Sequence, residues 1–86
     1  MQVKLSPKAQ KFLDRQNEPE RGQIVKALEK LEREPPEGNI KKLAGHEGYR
    51  LRLGGIRFLF EKRKTEILVT NIDQRGQVYK GKGKHK

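Results

Sequence analysis

Two adjacent glycines, Gly54 and Gly55, stand between two runs in which apolar residues alternate with others. A period of two is typical of β-strands, and a two-residue glycine connection is typical of a tight hairpin. If the glycines form the turn, the register of the hairpin is fixed, because each residue before the turn faces one residue after it. The predicted cross-strand pairs are Leu53 with Ile56, Arg52 with Arg57, Leu51 with Phe58, Arg50 with Leu59, and Tyr49 with Phe60.

This register gives the hairpin one wholly apolar face and one face that carries Arg50, Arg52 and Arg57. Like charges directly opposite each other destabilise a sheet, so we expect Arg52 and Arg57 to serve a function. Guanidinium groups are planar, permanently charged and suited to binding phosphate. The hairpin therefore predicts a site for an anionic ligand. A solvated strand face with ordinary basic residues is the alternative.

Charge is distributed unevenly along the 86 residues, which carry a net charge of +10. Residues 1–48 contain ten Lys and Arg against eight Asp and Glu, whereas residues 49–86 contain eleven against three. The second half of the chain therefore supplies most of the positive field. Such asymmetry favours an anionic partner, either a nucleic acid or an acidic protein surface.

The composition also excludes several classes of protein and site. The chain has no cysteine, which excludes disulfides, a thiolate nucleophile and a Cys-based metal site. No apolar segment approaches the ~20 residues of a membrane span, and the amino terminus lacks the apolar core of a signal peptide. We therefore expect a cytoplasmic protein without a membrane partner. His46 and His85 are not spaced for a metal ion, so we expect neither a metal nor a cofactor.

Local signals predict the elements before the hairpin. Residues 2–5 alternate like a short strand. Ser6-Pro7 predicts a helix start, because serine is a favourable N-cap and proline suits the first helical position. A second helix is predicted from Pro19 to the pair Pro35-Pro36, which ends it.

The rest of the chain completes a predicted single domain over residues 1–80. Residues 39–48 are expected to form an irregular connector. A last strand is expected over residues 66–72, and its apolar run Ile67-Leu68-Val69 suggests burial on both faces. The predicted fold class is α+β, with two amino-terminal helices packed on a small antiparallel sheet in the order β-α-α-β-β-β. Residues 81–86 are polar and glycine-rich, so they are expected to form a flexible basic tail.

Arg75 and Tyr79 are candidate site residues that follow the last predicted strand. An arginine just past a strand end can reach a phosphate, and a tyrosine can stack on a base or move a proton. For Tyr79, the alternative is an aromatic side chain that packs and anchors the carboxyl terminus.

The segments together resemble the RelE/ParE superfamily of bacterial and archaeal toxins from toxin–antitoxin pairs. Four segments carry the resemblance, which covers residues 3–80 in the right order and spacing. They are Leu5-Ser-Pro-Lys-Ala, Leu43-Ala-Gly-His, Tyr49-Arg-Leu-Arg-Leu-Gly-Gly-Ile-Arg-Phe, and Arg75-Gly-Gln-Val-Tyr-Lys. The resemblance implies a RelE-like fold.

Similarity to the RelE branch implies a metal-independent endoribonuclease that cuts messenger RNA in the ribosomal A site. By this resemblance, the catalytic residues are Arg50, Arg52, Arg57, Arg75 and Tyr79. We also expect RNA to be bound by four further basic residues: Lys41, Lys42, His46 and Lys80. Arginine is a poor general base because its guanidinium stays protonated. The resemblance therefore leaves proton transfer mainly to Tyr79, with the arginines stabilising the charge on phosphorus.

The resemblance also implies partners: an acidic antitoxin, the ribosome with its messenger RNA, and operator DNA bound only by the toxin–antitoxin complex. Two features depart from the RelE branch. Gln74 stands where many relatives have histidine, and Arg50 and Arg52 stand where lysines are common. The related ParE branch shares much of the hairpin pattern and poisons DNA gyrase. A gyrase inhibitor without nuclease activity is therefore one alternative, and an inactive homologue that binds nucleic acid as a co-repressor is another.

Overall fold

The computed structural model describes residues 1–43 and 48–74 of the chain. The elements are β1 (Gln2–Leu5), α1 (Pro7–Asp14), α2 (Glu20–Leu31), β2 (Asn39–Lys42), β3 (Tyr49–Leu53), β4 (Ile56–Lys62) and β5 (Glu66–Asp73). The strands form one sheet in the order β1-β5-β4-β3-β2. The α+β class with two amino-terminal helices is confirmed. The predicted tail, residues 81–86, lies outside the described residues, so the domain boundary at residue 80 stays a prediction.

The sheet differs from the predicted one in two respects. β2 lies antiparallel to β3 within the segment expected to be an irregular connector. Its four residues include only one apolar side chain, Ile40, so they carry too little alternation to reveal a strand. β1 pairs with β5 in parallel, which makes the sheet mixed rather than antiparallel. A four-residue strand at a sheet edge does not specify its partner by pattern alone.

Ser6 ties the start of α1 to β5. Its hydroxyl accepts a hydrogen bond from the Ala9 N–H at 3.1 Å and donates one to the Thr70 carbonyl at 2.9 Å. Its own N–H donates to the Val69 carbonyl at 2.9 Å. The predicted helix start is therefore confirmed, and the N-cap also fixes the helix against the sheet.

Both helices pack on the same face of the sheet, where twelve buried apolar side chains form one core. They are Ala9, Leu13, Ile24, Ala27, Leu31, Leu51, Ile56, Phe58, Phe60, Ile67, Val69 and Ile72. Burial of β5 on both faces, which its apolar run suggests, is wrong, because Leu68 on the other face is only half-buried. No helix within residues 1–43 and 48–74 has the length and apolar character needed to cross a membrane.

A β-bulge at Thr70 interrupts the pairing of β4 with β5. Leu59 and Phe60 are consecutive on β4, but their partners Asn71 and Val69 are two residues apart on β5. The extra residue, Thr70, donates its hydroxyl to the Leu59 carbonyl at 3.3 Å. Bulges of this kind shift the alternation of a strand by one residue.

The bulge decides which side chains of β5 face the core. Ile67 and Val69, before the bulge, are fully buried, and Ile72, after it, is buried as well. If the period of two continued unbroken, Ile72 would face away from the helices and Asp73 would face the core. The bulge therefore keeps an apolar residue in the core and turns Asp73 to the opposite face of the sheet.

Candidate nucleic-acid interface

The β3–β4 hairpin has the register predicted from its two glycines. All five predicted cross-strand pairs are present, including Arg52 opposite Arg57. Of the two glycines, only Gly54 takes a positive φ, of 58°, which is the pattern of a type II′ turn. Because Leu51 and Phe58 face the core, the arginines of both strands lie on the face away from the helices.

We call this surface the arginine face and define it by two cross-strand rows of four residues. The first row is Asn39, Arg52, Arg57 and Asp73, and the second is Lys41, Arg50, Leu59 and Asn71. Neighbouring strands lie about 4.8 Å apart, so each row spans about 14 Å. Four of the eight side chains are cationic and one is acidic. No helix or strand among the described residues covers this face.

The arginines of this face differ in exposure. Arg52 is exposed, whereas Arg50 and Arg57 are half-buried. The Nη2 atom of Arg57 lies 3.3 Å from Oδ2 of Asp73, and the side chains of this ion pair are 26% and 34% exposed. One arginine is therefore held by a carboxylate on the neighbouring strand, while Arg52 is presented to solvent.

The sequence does not predict the Arg57–Asp73 contact, because Ile72 looks like the last residue of the strand. Glu61 looks like the only acid on this side of the hairpin. In the structure Glu61 instead pairs with Arg63 at 3.0 Å, at the far end of β4. The break in alternation from Val69 to Ile72 is the one sequence signal that indicates the bulge, and with it the contact.

The remaining predicted site residues fall into three groups. Lys41 lies on the arginine face, opposite Arg50. Lys42 is opposite Tyr49, whose side chain packs against the core, so Lys42 belongs to the other face of the sheet. Four predicted site residues lie outside the described part of the chain, and their roles stay predictions: His46, Arg75, Tyr79 and Lys80.

A depression of about 560 Å³ adjoins the arginine face, and Leu43, Leu59 and Thr70 contribute to its lining. Of these residues, Leu59 is the cross-strand partner of Arg50. Glu61, Lys62 and Arg63 also line the depression, so charges of both signs lie beside its apolar side chains. Among the described residues, Leu59 is the one that the depression shares with the arginine face, so the depression adjoins this face without being part of it.

The chemistry of the arginine face is set by fixed positive charge. Guanidinium groups stay protonated, so these residues can bind a phosphate and stabilise added negative charge on it, but they cannot accept a proton. Within residues 1–43 and 48–74, no three His, Cys, Asp or Glu side chains are grouped so that they could hold a metal ion. A reaction at this face needs a further group for proton transfer.

No family model matches the chain, and no curated protein sequence matches it. Several solved structures do match this chain. A chain of the archaeal RelE–RelB complex from Pyrococcus horikoshii OT3 is 25% identical, with a TM-score of 0.71 and coverage of 88% of this chain and 96% of that chain. A chain of the intact Escherichia coli RelBE toxin–antitoxin complex is also 25% identical, with a TM-score of 0.67 and coverage of 85% and 94%.

A third match is the RelB–RelE antitoxin–toxin complex from Methanococcus jannaschii, at 23% identity and a TM-score of 0.70, covering 87% of this chain and 93% of that chain. In all three cases the match extends over most of both chains, so it includes the helices and the sheet together. The chain therefore has the fold of the RelE toxins of toxin–antitoxin systems, which confirms that it is RelE-like.

Proposed function

We propose that this protein is the toxin of a type II toxin–antitoxin system and inhibits translation as a metal-independent, ribosome-dependent endoribonuclease of messenger RNA. The observation that carries the proposal is the arginine face. It places three guanidinium groups and Lys41 on one sheet surface that no described helix or strand covers. The RelE-like fold supports the same function.

Cleavage of RNA by its own 2′-OH requires stabilisation of negative charge. The 2′ oxygen attacks the adjacent phosphorus and the 5′ oxygen leaves. The phosphorane that forms between attack and departure carries more negative charge than the starting diester. Fixed guanidinium groups stabilise that charge without having to reorganise. We assign this role to Arg52 and Arg57, which lie opposite each other, with Arg50 beside them in the next row.

Proton transfer is the second requirement. A base must take the proton of the 2′-OH, and an acid must give one to the 5′ oxygen. Arginine cannot act as the base, so we assign proton transfer to Tyr79 and additional phosphate binding to Arg75, both from the sequence resemblance. A phenol ionises more readily near positive charge, which the arginine face would supply.

The proposed partners follow from charge and from the structural relatives. The similar structures are complexes of RelE with RelB. We propose that an acidic antitoxin covers the arginine face of this chain and that operator DNA is bound only by the resulting complex. The proposed contacts to RNA outside the catalytic set are Lys41, Lys42, His46 and Lys80.

Mapping messenger RNA ends after brief induction tests the proposal. New ends inside codons at the ribosomal A site are expected from the parent chain. Gyrase inhibition would instead leave messenger RNA intact and give DNA damage with filamentation, and an inactive homologue would give neither. Arg57→Ala should abolish the cuts. Arg15→Ala is the matched control, because it removes the same charge from an exposed position at the end of α1.

A further inference from the structure

The ion pair between Arg57 and Asp73 is incompletely formed. Nη2 of Arg57 donates to Oδ2 of Asp73 at 3.3 Å, and the Asn71 amide donates to the same oxygen at 3.5 Å. Nε of Arg57 and Oδ1 of Asp73 are buried and have no hydrogen-bond partner among the described residues. Unpaired buried polar atoms cost free energy, so stability alone does not explain why the pair has this form.

The place of the ion pair on the arginine face shows in which direction the guanidinium of Arg57 is held. Arg52 on β3 and Asp73 on β5 are the cross-strand neighbours of Arg57 on its two sides. Asp73 attracts the guanidinium toward β5, and the positive charge of Arg52 repels it in the same direction. The guanidinium of Arg57 is therefore held on the β5 side of its strand, and Arg52 lies on the β3 side.

We propose that Asp73 is a positioning residue that holds Arg57 so that Arg57 and Arg52 form a two-sided site for one phosphodiester group. This inference rests on the proposed RNA cleavage and names the residue that fixes its geometry. A phosphate between two guanidinium groups accepts charge-assisted hydrogen bonds from both sides. Because Arg57 is already restrained by Asp73, less side-chain freedom is lost when the phosphate binds.

The opposite role for Asp73 is that of a competitor that occupies the place of the phosphate on Arg57. The geometry favours positioning, because Asp73 lies on the side of Arg57 away from Arg52. It also accepts a hydrogen bond from only one nitrogen of the guanidinium. A guanidinium has five N–H donors; Asp73 uses one and the Nε–H is buried, so the remaining donors on Nη1 and Nη2 are left for RNA.

Three variants separate these roles. Asp73→Asn removes the charge but keeps the size and one oxygen acceptor, and Asp73→Glu keeps the charge. Glu61→Gln is the matched control, because Glu61 lies on the same side of β4 but pairs with Arg63 rather than with Arg57. Asp73→Asn and Glu61→Gln raise the net charge equally and so strengthen general attraction to RNA alike. A difference between them therefore reports the contact with Arg57.

The measurement is the rate at which the purified full-length protein cuts messenger RNA on ribosomes at saturating substrate. Asp73→Asn should lower this rate about tenfold through misplacement of Arg57, whereas Glu61→Gln should stay within about twofold of the parent. Asp73→Glu should restore part of the loss. Because Arg57→Ala should not cut, the dependence on Arg57 is measured by binding of a short single-stranded 2′-O-methyl RNA, which Asp73→Asn should change by less than about twofold in an Arg57→Ala background.

Equal rates for Asp73→Asn and Glu61→Gln would overturn the inference, and so would a faster Asp73→Asn, as a competitor predicts. If the parent cuts no messenger RNA, the proposed function fails. The inference is then tested by the affinity for a short single-stranded 2′-O-methyl RNA, measured by fluorescence anisotropy. Arg57→Ala should then weaken binding at least about fivefold in the parent but less than about twofold in Asp73→Asn. Equal losses in the two backgrounds would contradict positioning.

Discussion

The two faces of the sheet differ in what they contribute to the molecule. The face toward the helices is apolar, and Phe58, Phe60 and Ile67 are at most 1% exposed there. The arginine face carries four cations and one acid, and none of its eight side chains is fully buried. Neighbours on one strand, such as Arg57 and Phe58, therefore have separate roles. Alternation along a strand allows fold stability and anion binding to be changed independently.

Phe58→Ala should give the largest loss of stability. Phe58 is fully buried at the centre of the sheet, and truncation of such a side chain typically costs about 3–5 kcal/mol. Since small domains are stable by about 5–15 kcal/mol, the variant should be marginally folded. Urea unfolding followed by circular dichroism measures the change, and a loss below about 1 kcal/mol would contradict the assignment of this face as the core.

Arg57→Ala should have the opposite profile to that of its neighbour. Growth inhibition should disappear, because loss of one preorganised donor typically lowers a rate by about 10²–10³-fold. The free energy of unfolding should change by no more than about 1 kcal/mol, since the ion pair with Asp73 is partly exposed. Growth assays and thermal unfolding measure the two effects. If Arg57→Ala unfolded, or if it were as toxic as Arg15→Ala, the two faces would not have separate roles.

Ser6→Ala should give a moderate loss of stability without changing either face directly. The variant removes the N-cap hydrogen bond to Ala9 and the hydrogen bond to Thr70 at the bulge, which together are worth about 1–2 kcal/mol. Ser6→Thr keeps the hydroxyl and should retain most of the stability. Thermal unfolding compares the variants, and equal melting temperatures for Ser6→Ala and the parent would show that the cap does not hold α1 on β5.

Lys41 and Lys42 provide the smallest and most specific test of the two faces. They are adjacent on β2, but only Lys41 lies on the arginine face. Lys41→Ala should weaken RNA binding and lower the salt dependence of the affinity by about one unit of slope. Lys42→Ala should have a smaller effect on the affinity and on its salt dependence. RNA titrations at several salt concentrations measure the affinity of each variant. Equal losses of affinity for Lys41→Ala and Lys42→Ala would mean that RNA does not bind the arginine face in preference to the other face.

The hairpin and the start of α1 could be predicted because their signals are local. The turn glycines fix which residues of β3 and β4 pair, and Ser6-Pro7 marks a helix start by the chemistry of two adjacent residues. β2 and the parallel pairing of β1 could not be predicted in this way. Each is a four-residue edge strand, and its place in the sheet depends on contacts with residues that are distant in sequence.

The candidate site was predictable to the same extent and for the same reason. The alignment of Arg50, Arg52 and Arg57 follows from the hairpin register alone. The contact of Arg57 with Asp73 depends on the bulge at Thr70, and a pattern of period two places Asp73 on the wrong face. The break in alternation from Val69 to Ile72 is the one sequence signal for the bulge, and the three-dimensional arrangement is needed to identify Asp73 as the partner of Arg57.

The central claim is that the arginine face carries an RNA-cleaving site which the stability of the fold does not require. The most direct measurement is cleavage of a defined messenger RNA on purified ribosomes by the parent, Arg57→Ala and Arg15→Ala, each shown to be folded. The account predicts cuts at the A-site codon for the parent and Arg15→Ala and none for Arg57→Ala. Parental cleavage by folded Arg57→Ala, or no cleavage by any of the three, would contradict it.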